Sequence, residues 1–247
     1  MKKITVEVCV DNFQSIVKAS DAGADRLELC SALNAEGLTP TPGMVQFAKQ
    51  KTNCSLQAMI RSRPGDFCYN EDEQEGMLFD FENLIPLGID GIVIGALTQE
   101  GNIDIAFIKP FIALAKQHDL ELTFHRAIDL TNNYFKTIQQ LIDLGFTRIL
   151  SSGQAKNIME GIDGIAMAQR EFSHKIQIMP GGGIKPENII SLVSQTKVEH
   201  IHCSASSKVT RVTGGGVFPA EALQLQVTSK QTLGQIIGEL KNLKQKG

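Results

Sequence analysis

Eight short runs rich in β-branched residues are spaced along the 247-residue chain, each followed by a helical apolar pattern. This alternation constrains the fold more than any other feature. The runs are Thr5 to Val10, Arg26 to Cys30, Ser55 to Arg61, Gly91 to Leu97, Glu121 to Ala127, Arg148 to Gly153, Ile176 to Pro180 and His200 to Ala205. Strands joined through helices run parallel, and a parallel sheet has to be covered on both faces. Eight such strands are accommodated better by a closed barrel than by an open sheet, and the chain length suits one α/β domain of this kind. We therefore expect a single (β/α)8 TIM barrel over residues 1–247, with no second domain.

The helix ends support the same reading. Ala22-Gly23-Ala24-Asp25, Leu87-Gly88-Ile89-Asp90 and Leu144-Gly145-Phe146-Thr147 share one plan. In each an apolar helix stops at a glycine that accepts the left-handed conformation, and a strand begins two or three residues later. Asp11 is expected to cap the first helix, with Phe13, Ile16 and Val17 as its apolar face. Pro186 suits the first turn of the seventh helix. Pro110 interrupts the pattern from Asp104 to His118, which predicts either a kink there or a helix that starts nearer Lys109. The connection over 206–229 is long for a barrel loop and contains Arg211, Thr213 and Gly214-Gly215-Gly216. Loops of that length are usually functional, mobile or buried in an oligomer contact.

Composition narrows the function classes. A hydrophobic fraction of 42%, a charged fraction of 21% and a formal charge of -3 describe an ordinary soluble domain. No Lys/Arg run is interleaved with aromatics, so a nucleic-acid partner is not expected. No stretch is long and apolar enough to span a bilayer, and Glu7 interrupts the apolar run that a secretory signal requires. A cytoplasmic protein without a membrane partner is the expectation. The five cysteines, at 9, 30, 54, 68 and 203, are odd in number and scattered. They make no disulfide framework, and serve as packing residues, metal ligands or nucleophiles.

Side chains alternate across a strand, so the apolar set identifies the face toward the helices and the other set points at the barrel axis. Outward Val6, Val8 and Val10 turn Glu7 and Cys9 inward, and outward Leu27 and Leu29 do the same for Glu28 and Cys30. Leu56, Ala58 and Ile60 place Gln57, Met59 and Arg61 inside, Leu122 and Phe124 place Thr123 and His125 inside, and Ile201 and Cys203 leave His200, His202 and Ser204 inward. A barrel interior is normally filled by Val, Ile and Leu. Buried charges persist only when paired, hydrogen-bonded or bound to metal.

Two readings of this interior stay open. In one, a structural network has Arg61 neutralising Glu7 or Glu28. In the other, the strand ends carry acid–base chemistry, with Glu7, Glu28, Arg61, His125, Arg126, Asp129 and His202 as candidates. Gly181, Gly182 and Gly183 after the seventh strand, with Ser204 nearby, form a candidate anion cradle before a helix N-terminus. The absence of lysine from the inward strand halves argues against a Schiff-base aldolase. Cys9 and Cys30, at similar heights on adjacent strands, would suit a soft ion such as Cu(I) if they are not simply packed thiols.

Six segments together carry a resemblance. They are Glu7-Val8-Cys9-Val10-Asp11, Gly23-Ala24-Asp25-Arg26-Leu27-Glu28-Leu29-Cys30, Gly37-Leu38-Thr39-Pro40, Gly65-Asp66-Phe67-Cys68-Tyr69, Phe124-His125-Arg126-Ala127 and Ser152-Gly153. With these the chain resembles the CutC family over roughly residues 4 to 207, departing from its pattern at Glu36, Ser62, Pro64 and Pro180. The resemblance implies a (β/α)8 barrel, a role in copper homeostasis with cytosolic Cu(I) held by Cys9 and Cys30, and homo-oligomers. It leaves the inward charges unexplained, and for those the competing expectation is an enzyme acting on a small polar or phosphorylated molecule.

Overall fold

A computed structural model describes residues 3–210 and 224–245. Eight strands alternate with helices: β1 (Thr5–Val10), α1 (Phe13–Ala22), β2 (Arg26–Leu29), α2 (Pro42–Lys51), β3 (Ser55–Met59), α3 (Glu71–Leu84), β4 (Gly91–Ile94), α4 (Ile105–Gln117), β5 (Glu121–Phe124), α5 (Tyr134–Leu144), β6 (Arg148–Ser151), α6 (Ile162–Phe172), β7 (Gln177–Pro180), α7 (Ile189–Thr196) and β8 (His200–Cys203). The strands form one parallel sheet in the order β7-β6-β5-β4-β3-β2-β1-β8, with β7 lying against β8 to bring the ring round. This is the expected TIM barrel, with six of the strands stopping one to three residues short of the runs at their C-terminal ends and β1 and β7 ending where the runs do. Those last residues, His125 and Arg61 among them, turn into the loops of one mouth.

Local chemistry explains most of the boundaries. Gly23, Gly88 and Gly145 all take positive φ where their helices stop. The first helix is capped by Asn12 rather than Asp11: the Asn12 side chain accepts from Ser15 N, while Asp11 accepts from Asn12 Nδ2 and Leu33 N. Its buried face is Ser15, Ile16 and Ala19, and Phe13 is left 52% exposed against the ring of Phe47. Pro110 lies inside α4, which starts at Ile105 behind an Asp104 cap. Pro110 and Ala106 are both exposed, so the carbonyl that loses its partner faces water. Pro186 precedes α7 by a turn over Lys185–Asn188 and is not in its first turn.

The long connection includes an antiparallel strand pair, β9 (Ser206–Thr210) with β10 (Gln224–Thr228), ahead of the final helix α8 (Lys230–Gln245). Arg211, Thr213 and Gly214 to Gly216 lie outside the described residues.

Outward strand residues such as Val8, Leu29, Ile92 and Phe124 join the helices in one apolar layer. Inside the barrel Cys30, Met59 and Val93, with Leu33 against them, make a small apolar group, and Leu150 and Met179 are buried there as well. Much of the remaining axis is polar. At the N-terminal end Arg148 is fully buried and donates to Thr123 Oγ1 (2.8 Å), Gln177 Oε1 (2.8 Å) and Glu121 Oε2 (2.9 Å). Gln57 Nε2 also donates to Glu121 Oε2 at 2.9 Å, which ties β3, β5, β6 and β7 together. This plug is specific to the guanidinium fork. Arg148→Met keeps much of the volume but strands the Thr123 and Gln177 acceptors and removes the cation beside Glu121, and should lower the urea unfolding free energy by about 3 kcal/mol with little change in slope.

Candidate functional site

The C-terminal mouth is organised around Glu7. Strand register sets it opposite Arg26 on β2 and His202 on β8, and all three side chains are buried. Arg26 Nε donates to Glu7 Oε2, and His202 Nδ1 lies 2.7 Å from Glu7 Oε1. Burial alone would raise the Glu7 pKa. The charge of Arg26, followed by the hydrogen bond and charge of His202 and the charge of Arg148, reverses this and holds the carboxyl well below the usual range. Glu7 is therefore a fixed anion rather than a proton carrier. Its counter-ion is Arg26, and Arg61 pairs with neither Glu7 nor Glu28 among the described residues.

One pleat toward the mouth, Cys9 sits opposite Glu28. The Cys9 thiol, a Glu28 carboxylate oxygen and a His202 ring nitrogen all lie within 4.8 Å of one another. His202 Nε2 is 3.8 Å from Glu28 Oε2, so this ring spans both layers, with Nδ1 on Glu7 and Nε2 toward Glu28. Burial opposes its charge, but Glu28, Cys9 and Glu7 outweigh burial and lift the His202 pKa well above its ordinary value. Glu28 moves up from the ordinary carboxylate value. Burial is the main cause, and the repulsion of Glu7 adds to it against the pull of His202. Its Oε1 is buried without a partner among the described residues.

Cys30 lies behind Glu28. Its Sγ donates to Glu28 Oε2 at 3.4 Å, and it packs with Met59 and Val93. Burial, with Glu28 and Cys9 adding, pushes this thiol well up. The donor set that the geometry brings together is thus Cys9, Glu28 and His202, with Cys30 adjoining through Glu28.

The opposite wall carries His125 and Arg61. His125 Nδ1 accepts from Ala127 N at 3.1 Å, so Nε2 carries the proton, and it has no partner among the described residues. Burial, then the charge of Arg61, lowers the His125 pKa to about 3, so the ring is neutral. Arg61 Nη1 donates to the carbonyls of Ala35 (3.0 Å) and Gly37 (3.1 Å), and Nη2 to that of Gly65 (2.9 Å). The Phe67 ring lies against both groups, 5.0 Å from the guanidinium carbon and 4.7 Å from the imidazole centroid.

Asp129 accepts from Ser151 Oγ, Ser152 N and Oγ, Gln154 N and Arg126 Nε. Its lone pairs are filled, and it clamps the ends of β5 and β6 together. Arg126 Nη2 also donates to Ser152 Oγ, at 2.8 Å. Of the glycines, Gly181 spends its N–H on Ser151 O, whereas Gly182 (φ 96°) and Gly183 (φ 92°) have N–H groups without a partner among the described residues. Because α7 starts only at Ile189, no helix N-terminus stands directly behind them. Ser204 Oγ is 3.4 Å from Ser206 Oγ. Cys9, Glu28, Arg61, His125, Arg126, Asp129, His202, Gly182, Gly183 and Ser204 border a single cavity of about 930 Å³.

Sequence reasoning found most of this ring but missed Arg26 and Arg148. The signal was present. Stepping back by two from Glu28 reaches Arg26, and stepping back by two from Leu150 and Ser152 reaches Arg148, both at strand starts.

Residues 4–207 match the CutC family. A CutC family protein of Glaesserella parasuis is 43% identical over 203 residues, covering 82% of this chain and 83% of that protein. A Caenorhabditis elegans protein named copper homeostasis protein cutC homolog is 41% identical over 206 residues, with 83% and 82% of the two chains covered. The solved structure of CutC from Streptococcus agalactiae superposes with a TM-score of 0.77 at 34% identity, over 81% of this chain and 98% of that one.

The Glu7 network makes a stability prediction with a definite sign. Its folded pKa is depressed, so its contribution is full above the unfolded carboxylate value of 4.5 and is lost as pH falls from there toward the folded value. Glu7→Gln should cost on the order of 3 kcal/mol at neutral pH, because Arg26 is left buried without its anion. Urea unfolding of both proteins at stepwise lower pH should show the gap closing below about pH 4.

Proposed function

The chain belongs to the CutC family, and from that premise we propose that it handles copper in the cytoplasm by holding Cu(I) at the Cys9–His202 corner of the barrel mouth. The observation that carries this reading is the hydrogen bond between Glu7 Oε1 and His202 Nδ1. A carboxylate that holds one ring nitrogen fixes the tautomer and presents the other nitrogen as a ligand, the arrangement found behind metal-binding histidines. Here the other nitrogen faces Cys9 and Glu28.

Thiolate and imidazole are donors that Cu(I) accepts, and Cys30 offers a second sulfur once Glu28 releases it. The carboxylate of Glu28 suits harder or borderline ions better, so Zn(II) is the proper comparison. The copper homeostasis name carried by the Caenorhabditis elegans relative agrees with this assignment.

Competition titration of the metal-free protein with a Cu(I) chelator tests the site. Cys9→Ser should weaken Cu(I) binding most and Cys30→Ser less, and Glu7→Gln should weaken it by about 10–100-fold through His202 orientation. Unchanged Cu(I) affinity in the Cys9→Ser/Cys30→Ser double variant would refute the site. Binding displaces the His202 Nε2 proton, so apparent affinity should rise with pH, by up to about tenfold per unit for that proton.

A further inference from the structure

Three arginines are buried in the described residues, and two have an acid beside them: Arg26 has Glu7 and Arg148 has Glu121. Arg61 is only 3% exposed and has no carboxylate partner among the described residues. Its hydrogen bonds go to three carbonyls, its Nε has no partner among the described residues, and the Tyr69 hydroxyl and the Phe67 face lie close by. A desolvated guanidinium without a counter-ion is costly, and such positions persist where an anion is supplied from outside.

The surroundings of Arg61 fit an incoming oxyanion. His125, 4% exposed, presents an Nε2–H donor without a partner, on a ring that stays neutral and so adds a hydrogen bond. Both residues border the mouth cavity, and so do Arg126, Lys156 and Lys185. Gly182 and Gly183, which border the same cavity, add two N–H groups without a partner among the described residues. Across the cavity, Glu28 Oε1 lacks a donor and would accept from a hydroxyl.

We infer that the mouth binds a small organic anion, a phosphate or carboxylate ester-sized molecule or smaller, with its acidic group held between Arg61 and His125. The acidic group is held by residues outside the donor set of Cys9, Glu28 and His202, and its binding does not depend on copper.

The test uses the metal-free full chain, labelled with 15N-histidine and titrated separately with inorganic phosphate, malonate and, as a neutral control, glycerol. The His125 ring signals, assigned by their loss in His125→Gln, should shift saturably with phosphate or malonate and stay still with glycerol. The anion that shifts them identifies the class of acid. Arg61→Gln should weaken binding by about tenfold or more, the usual loss for a hydrogen bond to a charged group. Because Arg61 also clamps the loops at Ala35, Gly37 and Gly65, the wild-type titration stands by itself if that variant fails to fold. No saturable His125 shift with either anion, an equal shift with glycerol, or unchanged affinity in a folded Arg61→Gln protein would overturn the site. A failed copper titration would leave this result untouched, and the reverse also holds.

Discussion

Glu7 has no solvent contact, and a lone carboxylate in that position would not stay ionised. It does so because parallel register puts Arg26 on one side and His202 on the other, each bonded to a different carboxylate oxygen. Three strands, β8, β1 and β2, are thereby tied through side chains as well as through the backbone ladder. A slip of one residue in any of them would turn the charged member toward the apolar helix layer, so the ion network also enforces register. The position of Cys9 follows, since it is two residues beyond Glu7 on the same inward face.

Filling a barrel with hydrogen-bonded polar groups needs space in places where most barrels have side chains. Glycines on the inward face provide it. A Cβ at Gly95 would collide with the His125 ring, and one at Gly181 would collide with Leu150 Cδ1 and come within 3.3 Å of His202 Cδ2. The imidazoles that define the mouth lie where they do because the neighbouring strands carry no side chain there. The same economy serves the opposite end, where Gly91 makes room for Gln57 beneath the Arg148 plug.

The alternation of apolar and polar residues made the barrel legible, and with it the inward placing of Glu7, Cys9, Glu28, His125 and His202. Strand parity reports which face a residue occupies and says nothing of which neighbour its tip will reach. Arg61 illustrates this: its inward position is visible in the sequence, but its length and the carbonyls of two loops carry its head away from the carboxylates. Cys30 is a second instance, inward like Cys9 yet turned into the apolar pocket of Met59 and Val93. Asp129 reads as a strand-end acid and becomes a clamp only when the β6 end supplies four of its five donors. The Asn12 cap was hidden because Asp11 and Asn12 are equally good caps and only the entry angle of the chain chooses between them.

The resulting mouth is polarised. On the β1–β2–β8 side the acids have cations of their own, Arg26 and His202 against Glu7 and His202 beside Glu28. On the β3–β5 side Arg61 has no acid of its own among the described residues, and the Asp129 beside Arg126 is already saturated. A molecule entering the cavity therefore meets a wall that favours negative charge facing one of sulfur, imidazole and carboxylate. Field lines are focused in such a low-dielectric cleft, so orientation is decided before any contact forms. An acidic group is drawn to Arg61 and the far end of the molecule is left beside Cys9, Glu28 and His202. The proposed copper site would use the second wall alone, and the charge of Arg61 on the first is what the proposed anion would compensate.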